Sequence, residues 1–281
     1  MIPAHDPGDV DRGLTRDGVV QLRRHWRVPA HVEPCAAMLL LHGIGEHSGR
    51  YGTFARQLNA VGIDVVAIDH RGFGGSGGRR AYVRSFDEFV VDAADQLTQV
   101  RQLGLPTVLY GHSMGGLIAL LVALQHREPA PDLLVLSGPA LEAGVSPVLR
   151  RITPVVSRIA PVLRVPALIA DDVLATDPEV AVAYRADTAN VHTVTPALAA
   201  ELFRSIRWAN EHLDELEVPT LVVHGGDDRL VPTRSSEPLA RLAGVERRVL
   251  EGLRHEVHNE PANAGWADEV GAWVRAGLAG S

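Results

Sequence analysis

The sequence predicts an α/β protein with a mostly parallel central sheet, helices on both of its faces and a helical insertion between two late strands. Three observations carry this. Short apolar runs alternate with helical patterns along most of the chain. The alternation lapses between about Ala140 and Leu216, where helical patterns occur without a convincing strand. Finally, Gly111-His112-Ser113-Met114-Gly115 stands between the run Pro106–Tyr110 and the long apolar stretch Leu117–Leu124, as expected where a strand turns sharply into a helix. The expected organisation is therefore a core of residues 1–139 and 217–281, with residues 140–216 forming a helical cap.

In order, the segment from Met1 to Asp9 is polar and turn-rich, and Gly18 to Val28 reads as an edge strand or hairpin arm. Ala36–Leu41 is continuously apolar, as a strand buried on both faces must be. Ile63–Ile68, Thr107–Tyr110, Leu133–Leu136 and Thr220–Val223 repeat the pattern, and Val245–Leu250 is the expected last strand. Helices are predicted over Tyr51–Ala60, over Phe86–Leu103 with Ser85 as N-cap, and over Met114–Arg127. Two more follow prolines: Thr233–Leu242 after Pro232, and Asn263–Leu278 after Pro261.

The 281 residues suffice for one large domain with a sizeable core. A net charge of −7 gives no global cationic field to gather phosphates, which argues against a nucleic-acid partner. All 27 basic residues are arginines. Cys35 is the sole cysteine, so no intrachain disulfide forms. The N-terminus lacks the basic start and apolar core of a signal peptide, and no stretch reaches the roughly 20 apolar residues of a membrane span. The expected location is cytoplasmic, with any membrane contact peripheral. Nothing in the sequence specifies an oligomeric state.

Serine is a weak nucleophile on its own, so Ser113 needs a base and an acid that orients it. The first buried strand ends in the glycine-rich His42-Gly43-Ile44-Gly45-Glu46-His47-Ser48-Gly49-Arg50-Tyr51. Such an exit lets backbone N–H groups face a cleft, and with the elbow it nominates Ile44 and Met114 as backbone donors to an oxyanion. The strand Thr220–Val223 runs into Gly225-Gly226-Asp227-Asp228, which offers two acids. After the last strand, His255 and His258 offer two bases, in the chain order Ser…Asp…His. A phosphate cradle at Asp69–Ser76 fails for want of a P-loop lysine and of a G-x-G-x-x-G opening a helix. A metal at His255-Glu256-Val257-His258 fails because the spacing is not H-E-x-x-H and no third ligand is evident.

Taken together, HGIGEHSGRY (42–51), DHRGFGGSGG (69–78), GHSMGG (111–116), GGDDRLVP (225–232) and LEGLRHEVHNEP (250–261) resemble the monoacylglycerol lipase and lysophospholipase group of α/β-hydrolases. The resemblance runs from about Gln21 to the C-terminal helix and weakens in the insertion. It implies an α/β-hydrolase fold and a serine ester hydrolase acting on a lipid ester without a cofactor. The register Gly225-x-x-Asp228-x-x-Val231 implies Asp228 as the acid, and Gly252-x-x-His255 implies His255 as the base. It places Glu46, Arg50 and His258 near the glycerol end of the substrate, although a Glu–Arg pair in a loop is more commonly an ion pair of the fold. Asp69 and Arg71 would order the neighbouring loop. Lysophospholipase, carboxylesterase and thioesterase chemistry would use the same triad. Dehalogenases and epoxide hydrolases carry Asp at the elbow, which Ser113 disfavours. A silent binding protein of the same fold would usually lack a triad member.

Between Val145 and Arg164 apolar residues alternate with arginines, and Pro147, Pro154 and Pro161 are expected to break the segment into short helices or bends. Its apolar face either packs on the core or caps an acyl tunnel, with outer residues such as Leu149 and Ile159 touching a membrane or micelle. Ala197–Leu213 is a predicted helix with Thr195 as N-cap and Pro196 at its first position.

Overall fold

Alternation within the buried strands divides the core in two. In β3 (Ala36–Leu41), Ala36, Met38 and Leu40 pack on one face of the sheet, and Ala37, Leu39 and Leu41 on the other. In the computed structural model, which describes residues 8–125, 128, 130–167, 173–261 and 265–279, the first set meets α1 (Gly52–Ala60) and α7 (Trp266–Ala279) through Phe54, Leu58, Trp266 and Val270. The second set meets α2 (Asp87–Arg101) and α3 (Met114–Leu124) through Phe89, Leu97, Leu117 and Leu120. Every residue of α3 is buried, so its apolar character all round suits a helix enclosed by the sheet and its neighbours.

The sheet has eight strands in the order β1-β2-β4-β3-β5-β6-β9-β10. Here β1 is Asp9–Leu14, β2 Val20–Trp26, β4 Ile63–Ile68, β5 Thr107–His112, β6 Leu133–Ser137, β9 Thr220–Gly225 and β10 Val245–Leu250. The six strands from β4 to β10 run parallel, as the alternation predicts. β2 joins antiparallel to β4, and β1 closes a hairpin on β2. Sequence reading expected the arm at β2 and passed over β1. That strand is almost wholly exposed and carries no apolar alternation to find, since its pairing is held by backbone and by ion pairs such as Arg23 to Asp11.

Between β6 and β9 lie α4 (Pro147–Ile159), α5 (Pro178–Ala186) and α6 (Pro196–Glu211). The segment is not wholly helical: the two-residue strands β7 (Val165–Pro166) and β8 (Thr193–Val194) pair antiparallel. Pro154 does not break α4 but lies inside it. The helix is mostly exposed, so the carbonyl that loses its partner to the proline can be hydrated. Thr195 caps α6 by accepting from the Leu198 amide at 3.2 Å, and its hydroxyl donates to the Ala81 carbonyl of the core. Pro232 leads into a 3₁₀ segment over Thr233–Arg241 rather than an α-helix, with Pro238 inside it. Phe86 occupies the N-cap of α2 without a side-chain bond, while the Ser85 hydroxyl accepts from the Asp87 amide at 3.3 Å. The expected end of α3 at Arg127, the start of the last helix at Asn263 and most of the N-terminal segment lie outside the described residues. Among those described, no helix is long and apolar enough to cross a membrane.

Candidate active site

Loop 42–51 leaves β3, Ser113 leaves β5, Asp228 follows β9 and His255 follows β10. All four segments exit at the carboxyl ends of parallel strands, so they converge on one edge of the sheet.

Ser113 sits at φ 54° and ψ −117°, a conformation few residues other than glycine adopt. The packing that holds it there needs glycine on either side. A Cβ on Gly111 would run into the Gly115 carbonyl, and one on Gly115 into the carbonyl oxygens of Leu41 and His42. The Ser113 amide donates to the Ser137 carbonyl at 2.9 Å, locking the elbow to the adjoining strand. Met114 opens α3, so its amide has no partner within the helix. Ile44 and Met114 both line the cavity onto which Ser113 opens.

The two paired alternatives separate clearly in space. Asp227 is exposed, whereas Asp228 is buried and its Oδ2 accepts from His255 Nδ1 at 2.6 Å. The other oxygen of Asp228 accepts from the amides of Leu230 and Val231, both at 2.9 Å. Burial favours the protonated acid, but the neighbouring His255 and these hydrogen bonds outweigh it and hold the Asp228 carboxyl well below the usual range. For His255, burial disfavours the imidazolium, yet the Asp228 charge prevails and raises its pKa above the ordinary 6.5. With Nδ1 engaged, Nε2 of His255 is buried and makes no hydrogen bond. This ring lies 4.6 Å, centroid to centroid, from His112, the residue before Ser113.

His224, which sequence reading passed over, adds a second histidine to the same carboxylate. It is fully buried at the end of β9, with Nε2 3.0 Å from the Val231 carbonyl and 3.2 Å from Asp228 Oδ2. In sequence it looks like one more residue at a strand end, and only the turn that follows brings it to Asp228.

Glu46, Arg50 and His258 lie together, though not as three side chains presented to a ligand. Glu46 Oε1 accepts from the Gly43 amide at 2.6 Å and the Tyr51 hydroxyl at 2.7 Å, and its Oε2 pairs with Arg50 at 2.6 Å. Arg50 also grips both oxygens of Glu256, the neighbour of His255, at 2.6 and 2.8 Å. This buried ion cluster therefore ties loop 42–51 to the loop that carries His255. Its polar atoms are spent within the protein, which fits the reading of Glu46 and Arg50 as an ion pair of the fold. His258 stacks on Tyr51 at 4.5 Å and approaches His112 at 4.9 Å. Burial depresses its pKa to about 4, so the ring is neutral near pH 7, and its Nδ1 is unpaired. Tyr184 of α5, which the sequence did not nominate, covers Arg50 at 5.0 Å and has a buried hydroxyl without a partner beside Gly45. Glu256 likewise went unnoticed, because only the fold brings it to Arg50.

Ser113 opens onto a cavity of about 580 Å³. Its walls are apolar and come largely from the insertion: Leu149, Ile152 and Val156 of α4, with Leu202, Phe203 and Ile206 of α6. Among the described residues no cluster of side chains could hold a metal ion.

A doubly wound sheet carrying a strained serine at the elbow defines an α/β-hydrolase of the serine type. A family model described as "Serine aminopeptidase, S33" matches residues 32–262, and the chain belongs to that family. It is 40% identical to the monoacylglycerol lipase of Mycolicibacterium smegmatis over 86% of this chain and 89% of that one. It is also 32% identical to phospholipase YtpA of Bacillus subtilis, over 81% of this chain and 90% of that one. A solved structure of a soluble variant of monoglyceride lipase from Saccharomyces cerevisiae, bound to a substrate analogue, shares the fold with a TM-score of 0.87 at 20% identity, over 99% and 97% of the two chains. The resemblance carried by the five motifs is thereby borne out, and the chain is a serine ester hydrolase.

Proposed function

We propose that this enzyme hydrolyses monoacylglycerols to free fatty acid and glycerol through an acyl-enzyme on Ser113. The observation that carries the reading is the 40% identity to a monoacylglycerol lipase over nearly the whole chain. Two features support it chemically: Ser113 opens onto an apolar cavity, and the buried Tyr184 Oη beside Gly45 and His258 Nδ1 of the ring stacked on Tyr51 have no partner. The acyl chain occupies the cavity, and the glycerol hydroxyls meet Tyr184 Oη and His258 Nδ1. Glu46 and Arg50 act behind them by fixing the two loops.

His255 Nε2 takes the proton of Ser113 as its oxygen attacks the ester carbonyl. Asp228 holds the ring through Nδ1 and stabilises its charged form. The amides of Ile44 and Met114 receive the oxyanion. His255 then protonates the departing glycerol oxygen, and a water it deprotonates releases the fatty acid. Each step needs only groups of this chain and water.

The test is a panel of monoacyl-, diacyl- and triacylglycerols and lysophospholipids at one chain length. Monoacylglycerol is expected to give the highest kcat/KM. Strong turnover of diacyl- or triacylglycerol overturns the assignment. A lysophospholipid preference would favour the second reading, which the identity to the Bacillus phospholipase supports.

In this reading residues 140–216 are the cap, and α4 serves it with two faces. Leu149, Ile152, Thr153 and Val156 line the cavity, whereas Val148, Val155 and Ile159 point outward and are 70%, 56% and 79% exposed. Between Ala143 and Ala167 the chain carries Arg150, Arg151, Arg158 and Arg164 and no acidic residue, although the protein as a whole is at −7. An apolar stripe flanked by arginines suits transient contact with an anionic lipid surface. Because Leu149 also lines the cavity, the discriminating variant replaces Val155 and Ile159 by serine. It is expected to keep its turnover of soluble short-chain esters and to lose about tenfold or more on long-chain emulsions, since two apolar side chains no longer enter the interface. Equal losses on both substrates would defeat membrane contact.

A further inference from the structure

The loop that carries His255 is held from outside the core. Cap residues 173–176 run alongside residues 254–256. The His255 amide donates to the Val173 carbonyl at 3.4 Å, the Glu256 amide to Leu174 at 2.7 Å, and Arg254 Nη1 to Ala175 at 2.8 Å. The two segments are joined at one carboxylate. Glu260, only 4% exposed, accepts from the Arg254 amide at 2.8 Å and from the Thr176 amide at 2.9 and 3.0 Å, and takes the Thr176 hydroxyl on Oε2. Among the described residues no arginine or histidine forms an ion pair with it. On the core side the loop is held by Arg50 on Glu256 and by Asp228 on His255, and its regular structure is a three-residue 3₁₀ turn over Val257–Asn259; the cap contacts and Glu260 hold it as well.

We propose that Glu260 is a positioning residue for the hydrolysis: its carboxylate bolts cap residue Thr176 to the amide that precedes His255, and so sets the imidazole against Ser113. A buried carboxylate without a counter-cation is costly unless hydrogen bonds satisfy it, and here every donor among the described residues comes from the two segments being joined. The aim of the base is sensitive to small shifts, because a misplacement of about 1 Å can cost on the order of 10²-fold in rate. The cap segment at 173–176 is therefore part of the frame of the catalytic base as well as part of the cover. The inference rests on His255 being the base. If that assignment failed, His255→Gln would stay active, whereas failure of the present inference leaves that variant dead.

The test compares Glu260→Ala with Glu260→Gln on a soluble short-chain ester, well below the melting temperature of each. Glutamine can still accept from both amides through its carbonyl oxygen and donate to the Thr176 hydroxyl, so it should restore the clamp. Expected for alanine is a fall in kcat of about tenfold or more, with KM within about twofold and slower labelling of Ser113 by a fluorophosphonate; glutamine should stay within about threefold of the parent. A merely structural role would lower Tm and leave kcat and labelling alone, and that result overturns the proposal. So does an equal loss of kcat in both variants, or a change in KM alone. Should Glu260→Ala not fold, Thr176→Val decides: a fall in kcat of about threefold at unchanged Tm supports the clamp, and unchanged kcat refutes it.

Discussion

Replacing Ser113 by alanine is expected to reduce kcat on every ester in the panel by on the order of 10⁶ while leaving the fold intact. The size follows from how the site divides its labour. Without the hydroxyl no acyl-enzyme forms, and what remains is binding plus the oxyanion donors, worth about 10³–10⁴ over water. The fold should tolerate the change. What fixes the elbow is backbone: the Ser113 amide on Ser137, the Ala140 amide on the Ser113 carbonyl, and the glycines at 111 and 115. Steady-state turnover, a fluorophosphonate labelling assay and a melting curve check the three parts. Turnover within tenfold of the parent would sink the mechanism.

The second large effect separates two adjacent residues. Asp228→Asn is expected to lower kcat by about 10⁴, because the amide can no longer hold His255 in the tautomer that leaves Nε2 free to accept the serine proton. Asp227→Asn should change kcat by less than about threefold, since that side chain is exposed and no bond to His255 depends on it. The same contrast should appear in the pH profile. His255 works as a base only when neutral, and the Asp228 charge raises its pKa. Activity should therefore rise with pH along a limb whose midpoint lies above 6.5, and fall as pH drops through it. In Asp228→Asn the raising charge is gone, so the limb should move to lower pH on a much reduced plateau. His258, with its pKa near 4, should add no second limb in this range. Equal losses in the two asparagine variants would refute the assignment of the acid.

Much of this was legible along the chain because the relevant patterns are local. Five of the six parallel strands could be read from short apolar runs, since a strand buried on both faces leaves little room for polar residues. Ser113 could be read from the glycines around it, because the turn excludes a Cβ at 111 and 115. Thr195 and Pro196 marked the start of α6 for similar reasons of capping and fixed φ. Other features left no local trace. The exposed β1 has no alternation, Pro154 carries a breaker's signature inside a continuous helix, and the pairing of Val165 with Val194 joins residues 29 apart in the chain.

Chemistry at the site divides along the same line. By itself the sequence determined the kind of fold and nominated Ser113, an aspartate after the strand at 220 and a histidine after the last strand, because each motif is carried by residues within a few positions of one another. Only the tertiary structure decided what those residues touch. Asp228 is buried while Asp227 is exposed, His224 shares the Asp228 carboxylate with His255, and Glu46 and Arg50 are engaged with Gly43, Tyr51 and Glu256. Tyr184 of the insertion lies beside Gly45 and over Arg50, and Glu260 joins Thr176 to the amide that precedes His255. The physical reason is the sheet itself. Parallel strands bring loops that are far apart in sequence to one edge, and hydrogen bonds a few ångströms long then choose among side chains that one-dimensional spacing cannot tell apart.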